Sequence, residues 1–142
     1  MNLIDLKNRM SDLVARKEEI ALSVVDDEAI EILQNRLEEG KDSKGGSFPE
    51  YADETIAIKR IEGGFISPSG NIAWKDTGQF YNSMFLNKLN GFIEIDSNDE
   101  NYAEIAKRAP DVLDVSADEN LEIFENKREE MLEAFYKLLL NK

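Results

Sequence analysis

Apolar residues recur every three or four positions along the first part of the chain, which is the spacing of one face of an α-helix. This pattern predicts an N-terminal helix within residues 1–25 and a second helix that ends at Gly40. A bend between Ser23 and Asp26 is favoured over one continuous helix, because the carboxylates from Asp26 onward suit a helix N-terminus. The spacing defines a stripe of apolar residues along the first helix, in which Lys17 occupies one position where an apolar residue is expected. The stripe consists of Leu3, Leu6, Met10, Leu13, Lys17 and Ile20.

In the middle of the chain the apolar residues recur less regularly. Residues 40–50 are rich in glycine and polar residues, which is typical of a loop. The isoleucines within residues 51–64 fit a strand or a short helix, and periodicity does not separate the two. Asp53 as an N-cap and Gly63 as a stop favour the helix. Residues 72–74 predict a short strand.

Two short runs of alternating apolar and polar residues predict a β-hairpin. They are joined by Asn90 and Gly91, a pair that tolerates the positive φ angles of a two-residue hairpin turn. Such a turn places Leu86 opposite Ile95. The face predicted to be buried carries Met84, Leu86, Ile93 and Ile95.

A long helix is predicted to close the chain. It follows a short helix that Pro110 stops, and it opens with a capping box in which Ser116 and Glu119 exchange hydrogen bonds. Its charged residues 127–130 are interpreted as a solvated face. We therefore predict an α+β fold with N-terminal helices, a small antiparallel sheet built around the hairpin, and a long C-terminal helix. Residues 1–142 form one domain, in which 26–142 are the core and 1–25 serve as an assembly arm.

Composition excludes most catalytic chemistry. The chain has no cysteine and no histidine, which rules out thiol nucleophiles, histidine-based triads and zinc sites built on either residue. A net charge of −13, from 30 acidic and 17 basic residues, repels nucleic acids and anionic membranes. No apolar run is long enough for a membrane span, and no signal peptide is recognisable. We expect a protein that is assembled in the cytoplasm, without a cofactor, a metal ion or catalytic residues.

Asp76, Thr77 and Gly78 form the tripeptide that carries the catalytic aspartate of aspartic proteases. A protease needs two such loops so that two carboxylates can share one proton. This chain has one copy and is predominantly helical, so the motif is interpreted as structural. Asp76 or Thr77 then caps a short helix, and Gly78 permits a close backbone approach.

The segment Thr77-Gly78-x-Phe80-x-x-Ser83-Met84, followed by the hairpin, is similar to a segment of small structural proteins of tailed bacteriophages. Those proteins belong to the virion-morphogenesis, neck or head–tail connector, and tail-completion families. Tyr102-Ala103-Glu104-Ile105 resembles a second family segment, and the chain departs from the family in the turn after it. The resemblance covers roughly residues 30–140 and implies an α+β subunit of a homo-oligomeric ring.

Two functions follow as expectations. The first, which the resemblance implies, is a non-enzymatic structural component of a tailed-phage virion. It would form a ring at the head–tail junction with portal, connector or tail proteins as partners, and the stripe from Leu3 to Ile20 would be a subunit interface. The second is a small acidic inhibitor, or DNA mimic, that binds a basic nucleic-acid enzyme. The net charge favours the second, and lysines scattered among the carboxylates argue against it.

Overall fold

Six helices and one two-stranded antiparallel sheet make up the fold in the computed structural model, which describes residues 2–89 and 91–140. This is the α+β arrangement predicted from the sequence, with helices at the N-terminal end and a long helix at the other. The elements are α1 (Leu3–Ser23), α2 (Glu28–Glu38), α3 (Asp53–Glu62), α4 (Gln79–Asn82), β1 (Met84–Leu89), β2 (Phe92–Ser97), α5 (Tyr102–Arg108) and α6 (Ala117–Leu140).

Helices α1 and α2 follow one bent path along α6. The Arg9 guanidinium donates a hydrogen bond to the carbonyl oxygen of Leu139, and Arg36 in α2 pairs with Glu119 near the start of α6. Residue numbers thus rise along α1 and α2 while they fall along α6, so both helices are antiparallel to it. The predicted bend is confirmed, because α1 ends at Ser23 and α2 begins at Glu28.

The core lies beside α2, where the hairpin and the segment before α6 meet it. Leu33 and Leu37 of α2 are completely buried, as is Val112 in the turn before α6. Their apolar side chains exclude water from this centre, which is the main favourable contribution to folding. The remaining buried members of this cluster are Ile30, Phe48, Phe80, Tyr81, Met84, Ile95, Ala109 and Leu113.

The hairpin has the predicted register. Leu86 pairs with Ile95, and Met84 and Ile95 are buried on the predicted face. Gly91 has a φ of 89°, a left-handed conformation that glycine adopts without strain. Asn90 lies outside the described residues, so its predicted role in the turn stays a prediction.

Residues 40–78 form loops and one helix. The helix favoured for residues 51–64 is confirmed as α3, although Ala52 occupies the cap position and Asp53 is the first helical residue. The strand predicted at residues 72–74 was wrong. The segment follows an isolated bridge between Glu50 and Asn71, and Trp74 has a φ of 58° that a strand does not accommodate.

The cap signals predicted at the end of α2 and at the start of α6 are confirmed. Gly40 follows α2 with a φ of 74°, and its N–H donates to the carbonyl oxygen of Leu37. At the start of α6, the Ser116 hydroxyl accepts from the N–H of Glu119 at 3.1 Å, and the Glu119 carboxylate accepts from the N–H of Ser116 at 2.8 Å. This reciprocal exchange satisfies backbone donors that a helix start otherwise leaves without partners.

Candidate functional site

Helix α6 covers only one flank of the α1 stripe. Ile20 is buried, Leu6 and Leu13 are half-buried, and Met10 and Lys17 are exposed. Leu3, at the start of the helix, is 83% exposed. The six residues predicted as an interface therefore divide into a packed flank and a free flank. The free flank, which we call the open flank of α1, consists of Leu3, Met10, Val14 and Lys17.

The open flank belongs to a helix without net charge. Helix α1 contains Asp5, Asp12, Glu18 and Glu19 against Lys7, Arg9, Arg16 and Lys17, so four acidic and four basic residues cancel. Arg16 is shared by Asp12 at 3.9 Å and Glu19 at 3.5 Å. In a chain of charge −13, α1 is thus a surface that another acidic protein can approach without strong repulsion.

Lys127 anchors the bend between α1 and α2. Its side chain is 7% exposed, and its ammonium lies 2.8 Å from Asp26 and 3.2 Å from Glu28. The hydrogen bond that Lys127 donates to Asp26 raises the pKa of Lys127 and lowers the pKa of Asp26. The expectation that residues 127–130 form a solvated face was therefore wrong for Lys127. One feature of the sequence indicates its burial: Lys127 lies four residues before Met131, which is buried on the same face of α6.

The Asp-Thr-Gly loop leads into α4, with roles that differ from those predicted. The cap position is Gly78, not Asp76 or Thr77, and the Thr77 hydroxyl accepts a weak hydrogen bond from the N–H of Gln79 at 3.3 Å. Gly78 has a φ of 84° and leaves ample room at its Cα. It is therefore required by backbone conformation, and the predicted close approach was wrong.

Asp76 lacks the surroundings of a catalytic aspartate. Its side chain is 81% exposed and pairs with the ammonium of Lys59 at 3.3 Å. A shared proton needs a second carboxylate in contact with the first, whereas the group beside Asp76 is a cation. No cluster of acidic residues able to hold a metal ion occurs within residues 2–89 and 91–140.

The other residues of the phage-like segment hold the hairpin to the core. Phe80 is buried, and the Ser83 hydroxyl donates to the carbonyl oxygen of Phe80 at 2.6 Å. The Ser83 hydroxyl also contacts that of Ser97, at the open end of the sheet. The segment Thr77 to Met84 thus forms one turn that places a strand against the core.

Trp74, for which a strand was predicted, has a strained backbone conformation. It is the one non-glycine residue with a positive φ between residues 2 and 140, position 90 aside. Its ring meets Phe48 edge-on at 5.6 Å, and the Arg108 guanidinium stacks over it at 5.0 Å. Its indole N–H is buried without a partner in the described part of the chain. Such strain persists only where the surroundings enforce it.

Two buried tyrosines enforce that conformation. The N–H of Ala73 donates to the Tyr51 hydroxyl at 3.0 Å, and the Tyr81 hydroxyl donates to the carbonyl oxygen of Ala73 at 2.6 Å. Burial raises the pKa of Tyr81, which keeps its hydroxyl protonated and able to donate. Neither tyrosine was singled out from the sequence, because no local pattern pairs residues so far apart.

Comparison with protein-family models, with curated proteins and with solved structures found no match to this chain. None of the helices described between residues 2 and 140 combines the length and the apolar character that a membrane span requires.

Proposed function

We propose that this protein is a non-enzymatic structural component of a tailed-bacteriophage virion, in a ring at the head–tail junction. The observation that carries the proposal is the open flank of α1, an apolar surface on a helix without net charge. Support also comes from the phage-like segment, whose residues Phe80 and Ser83 hold the hairpin against the core. The protein would be assembled in the host cytoplasm and would reside in the virion.

The open flank suits a contact between subunits. Leu3, Met10 and Val14 are large apolar side chains that a free monomer gains nothing by exposing, and covering apolar surface stabilises an interface by about 25 cal/mol per Å². Lys17 lies at the edge of this surface, where its ammonium stays hydrated after its stem is covered. A ring forms when this flank meets a different surface of the next subunit, in a head-to-tail contact that closes.

The net negative charge of the chain fits a position around DNA. A ring of subunits that each carry a net charge of −13 repels the phosphate backbone, so DNA passes without adhering. The inhibitor function is less well supported, because a DNA mimic needs free carboxylates on one face. Here Asp26, Glu28 and Glu130 all pair with the ammonium of Lys127.

The test is incorporation of variants into particles. In cells that produce the encoding phage, Val14→Glu places a charge on the open flank, and Ala15→Glu places the same charge on an exposed neighbour about 100° around the helix. We expect the original chain and Ala15→Glu to be present in purified virions by mass spectrometry, and Val14→Glu to be lost from them. Circular dichroism of each purified variant verifies folding.

Absence of the original chain from purified virions would refute the proposed function. Equal incorporation of a folded Val14→Glu variant would refute the role of the open flank. Point variants are preferable to deletion of residues 1–22, because deletion also removes Ile20 from its packed position against the rest of the fold.

A further inference from the structure

Helix α6 carries an exposed row of side chains that is separate from the open flank of α1. Leu121 is 60% exposed and Leu132 is 45% exposed, and Tyr136 is exposed beyond them. At 100° per residue, the whole row falls within an arc of about 100°, which makes it one face of the helix. This outer row of α6 consists of Ala117, Leu121, Glu125, Arg128, Leu132 and Tyr136.

The outer row is complementary to itself. Its spacing of four, four, three, four and four residues reads the same from either end. A two-fold axis that crosses α6 between residues 126 and 127 brings Leu121 of one copy opposite Leu132 of the other. The same axis brings Glu125 opposite Arg128, and the small Ala117 opposite the large Tyr136. In a two-fold contact each of these pairs occurs twice.

We propose that α6 binds a second copy of this chain through the outer row, with the two helices antiparallel about that axis. Within one chain Glu125 and Arg128 are 3.8 Å apart at the surface, a distance at which an exposed pair contributes little. Across the axis, each carboxylate gains a cation of the other copy between two apolar contacts. The pair thereby sets both the register and the direction of the helices.

The contact is smaller than a standard protein–protein interface. Six half-exposed side chains offer on the order of 600 Å² per copy, below the ~800 Å² per partner of a standard interface. We therefore expect a reversible dimer that forms at micromolar concentrations. A two-fold contact closes with two copies, so it is not the head-to-tail contact of the ring and does not depend on the proposed function.

The first measurement is sedimentation equilibrium of the full chain at physiological ionic strength, where the charge outside the contact is screened over about 8 Å. We expect a monomer–dimer equilibrium for the original chain. Glu125→Arg and Arg128→Glu each place like charges opposite one another across the axis. Each variant should therefore dimerise at least about tenfold more weakly.

The decisive measurement mixes these two variants. Each alone has lost both the pair within the helix and the pair across the axis. In a heterodimer, however, the two basic side chains of Glu125→Arg face the two carboxylates of Arg128→Glu. The mixture should therefore dimerise nearly as strongly as the original chain. A pair within one helix cannot explain such a recovery, because mixing does not restore that pair in either variant.

Glu133→Arg is the matched control. It makes the same charge change as Glu125→Arg, lies outside the outer row, and should dimerise like the original chain. A monomeric original chain at high micromolar concentration would overturn the proposal. So would full dimerisation of both single variants, or a mixture that stays monomeric while both variants are folded.

Discussion

The ammonium of Lys127 lies 2.8 Å from a carboxylate oxygen of Asp26, at the bend where α1 gives way to α2. The two residues are 101 positions apart in the chain, and the contact ties the C-terminal helix to the N-terminal pair. Glu28 and Glu130 complete the surroundings of the same ammonium. A cation placed among three carboxylates therefore fixes the angle between two helices.

Replacement of Lys127 by methionine should lower the melting temperature by several degrees. The apolar stem is kept, but Asp26, Glu28 and Glu130 then repel one another without a cation between them. Lys137→Met is the control, because Lys137 makes only an exposed pair with Glu133 in the described structure. Equal melting temperatures for the two variants by circular dichroism would show that the bend does not depend on Lys127.

Stability should fall in acid partly through Asp26. The hydrogen bond from Lys127 lowers the pKa of Asp26 below its ordinary value of 3.8. A group whose pKa is lower in the folded state contributes stability that is present above the ordinary value and is lost as pH falls through the folded one. The difference in unfolding free energy between the original chain and Asp26→Asn should be constant near neutral pH and shrink below pH 4. Urea titrations across this range measure it; a difference independent of pH would contradict the prediction.

Tyr81→Phe should destabilise the protein by about 1–3 kcal/mol, the cost of leaving a buried carbonyl without its donor. The carbonyl is that of Ala73, which accepts from the Tyr81 hydroxyl at 2.6 Å. Tyr136→Phe removes the same hydroxyl from an exposed ring and should change stability little. Urea unfolding followed by the fluorescence of Trp74, the single tryptophan of the chain, reports on the affected segment directly.

Gly91→Val should cost roughly 1 kcal/mol or more, because a β-branched residue is strained at a φ of 89°. Gly91→Asn should cost less, since asparagine tolerates left-handed backbone better than valine does. Thermal unfolding of both variants tests this order. Equal stability of Gly91→Val and the original chain would mean that the hairpin turn does not require a positive φ at this position.

The elements that the sequence predicted well are those with local causes. The hairpin register agrees with a short connection that contains Gly91, and the start of α6 depends on Ser116 and Glu119 within one helical turn. The helix α3 was favoured by its glycine stop, which adopts the left-handed conformation expected of it. In each case the physical reason lies within a few residues of the element.

What the sequence did not predict depends on distant partners. The apolar stripe of α1 indicates burial, but its spacing does not reveal that α6 covers one flank and leaves the other free. Lys127 resembles a surface residue until Asp26 and Glu28 are placed beside it. Trp74 occupies a strand-like sequence, and its left-handed backbone results from hydrogen bonds between Ala73 and two tyrosines elsewhere in the chain.

The antiparallel packing of α1 on α6 also determines when α1 can dock during synthesis of the chain. Arg9 and the carbonyl of Leu139, which it contacts, are separated by 130 residues, so the first helix leaves the ribosome long before its partner exists. Until α6 emerges, α1 lacks the helix on which it packs, whereas the core around Leu33 and Leu37 of α2 is completed by residues up to Leu113. Contacts between α1 and α6 cannot form early, and they carry the entropic cost of closing a long loop. We therefore expect the core around α2 to form first and α1 to dock only after α6 has been synthesised, with its apolar stripe open to chaperones until then.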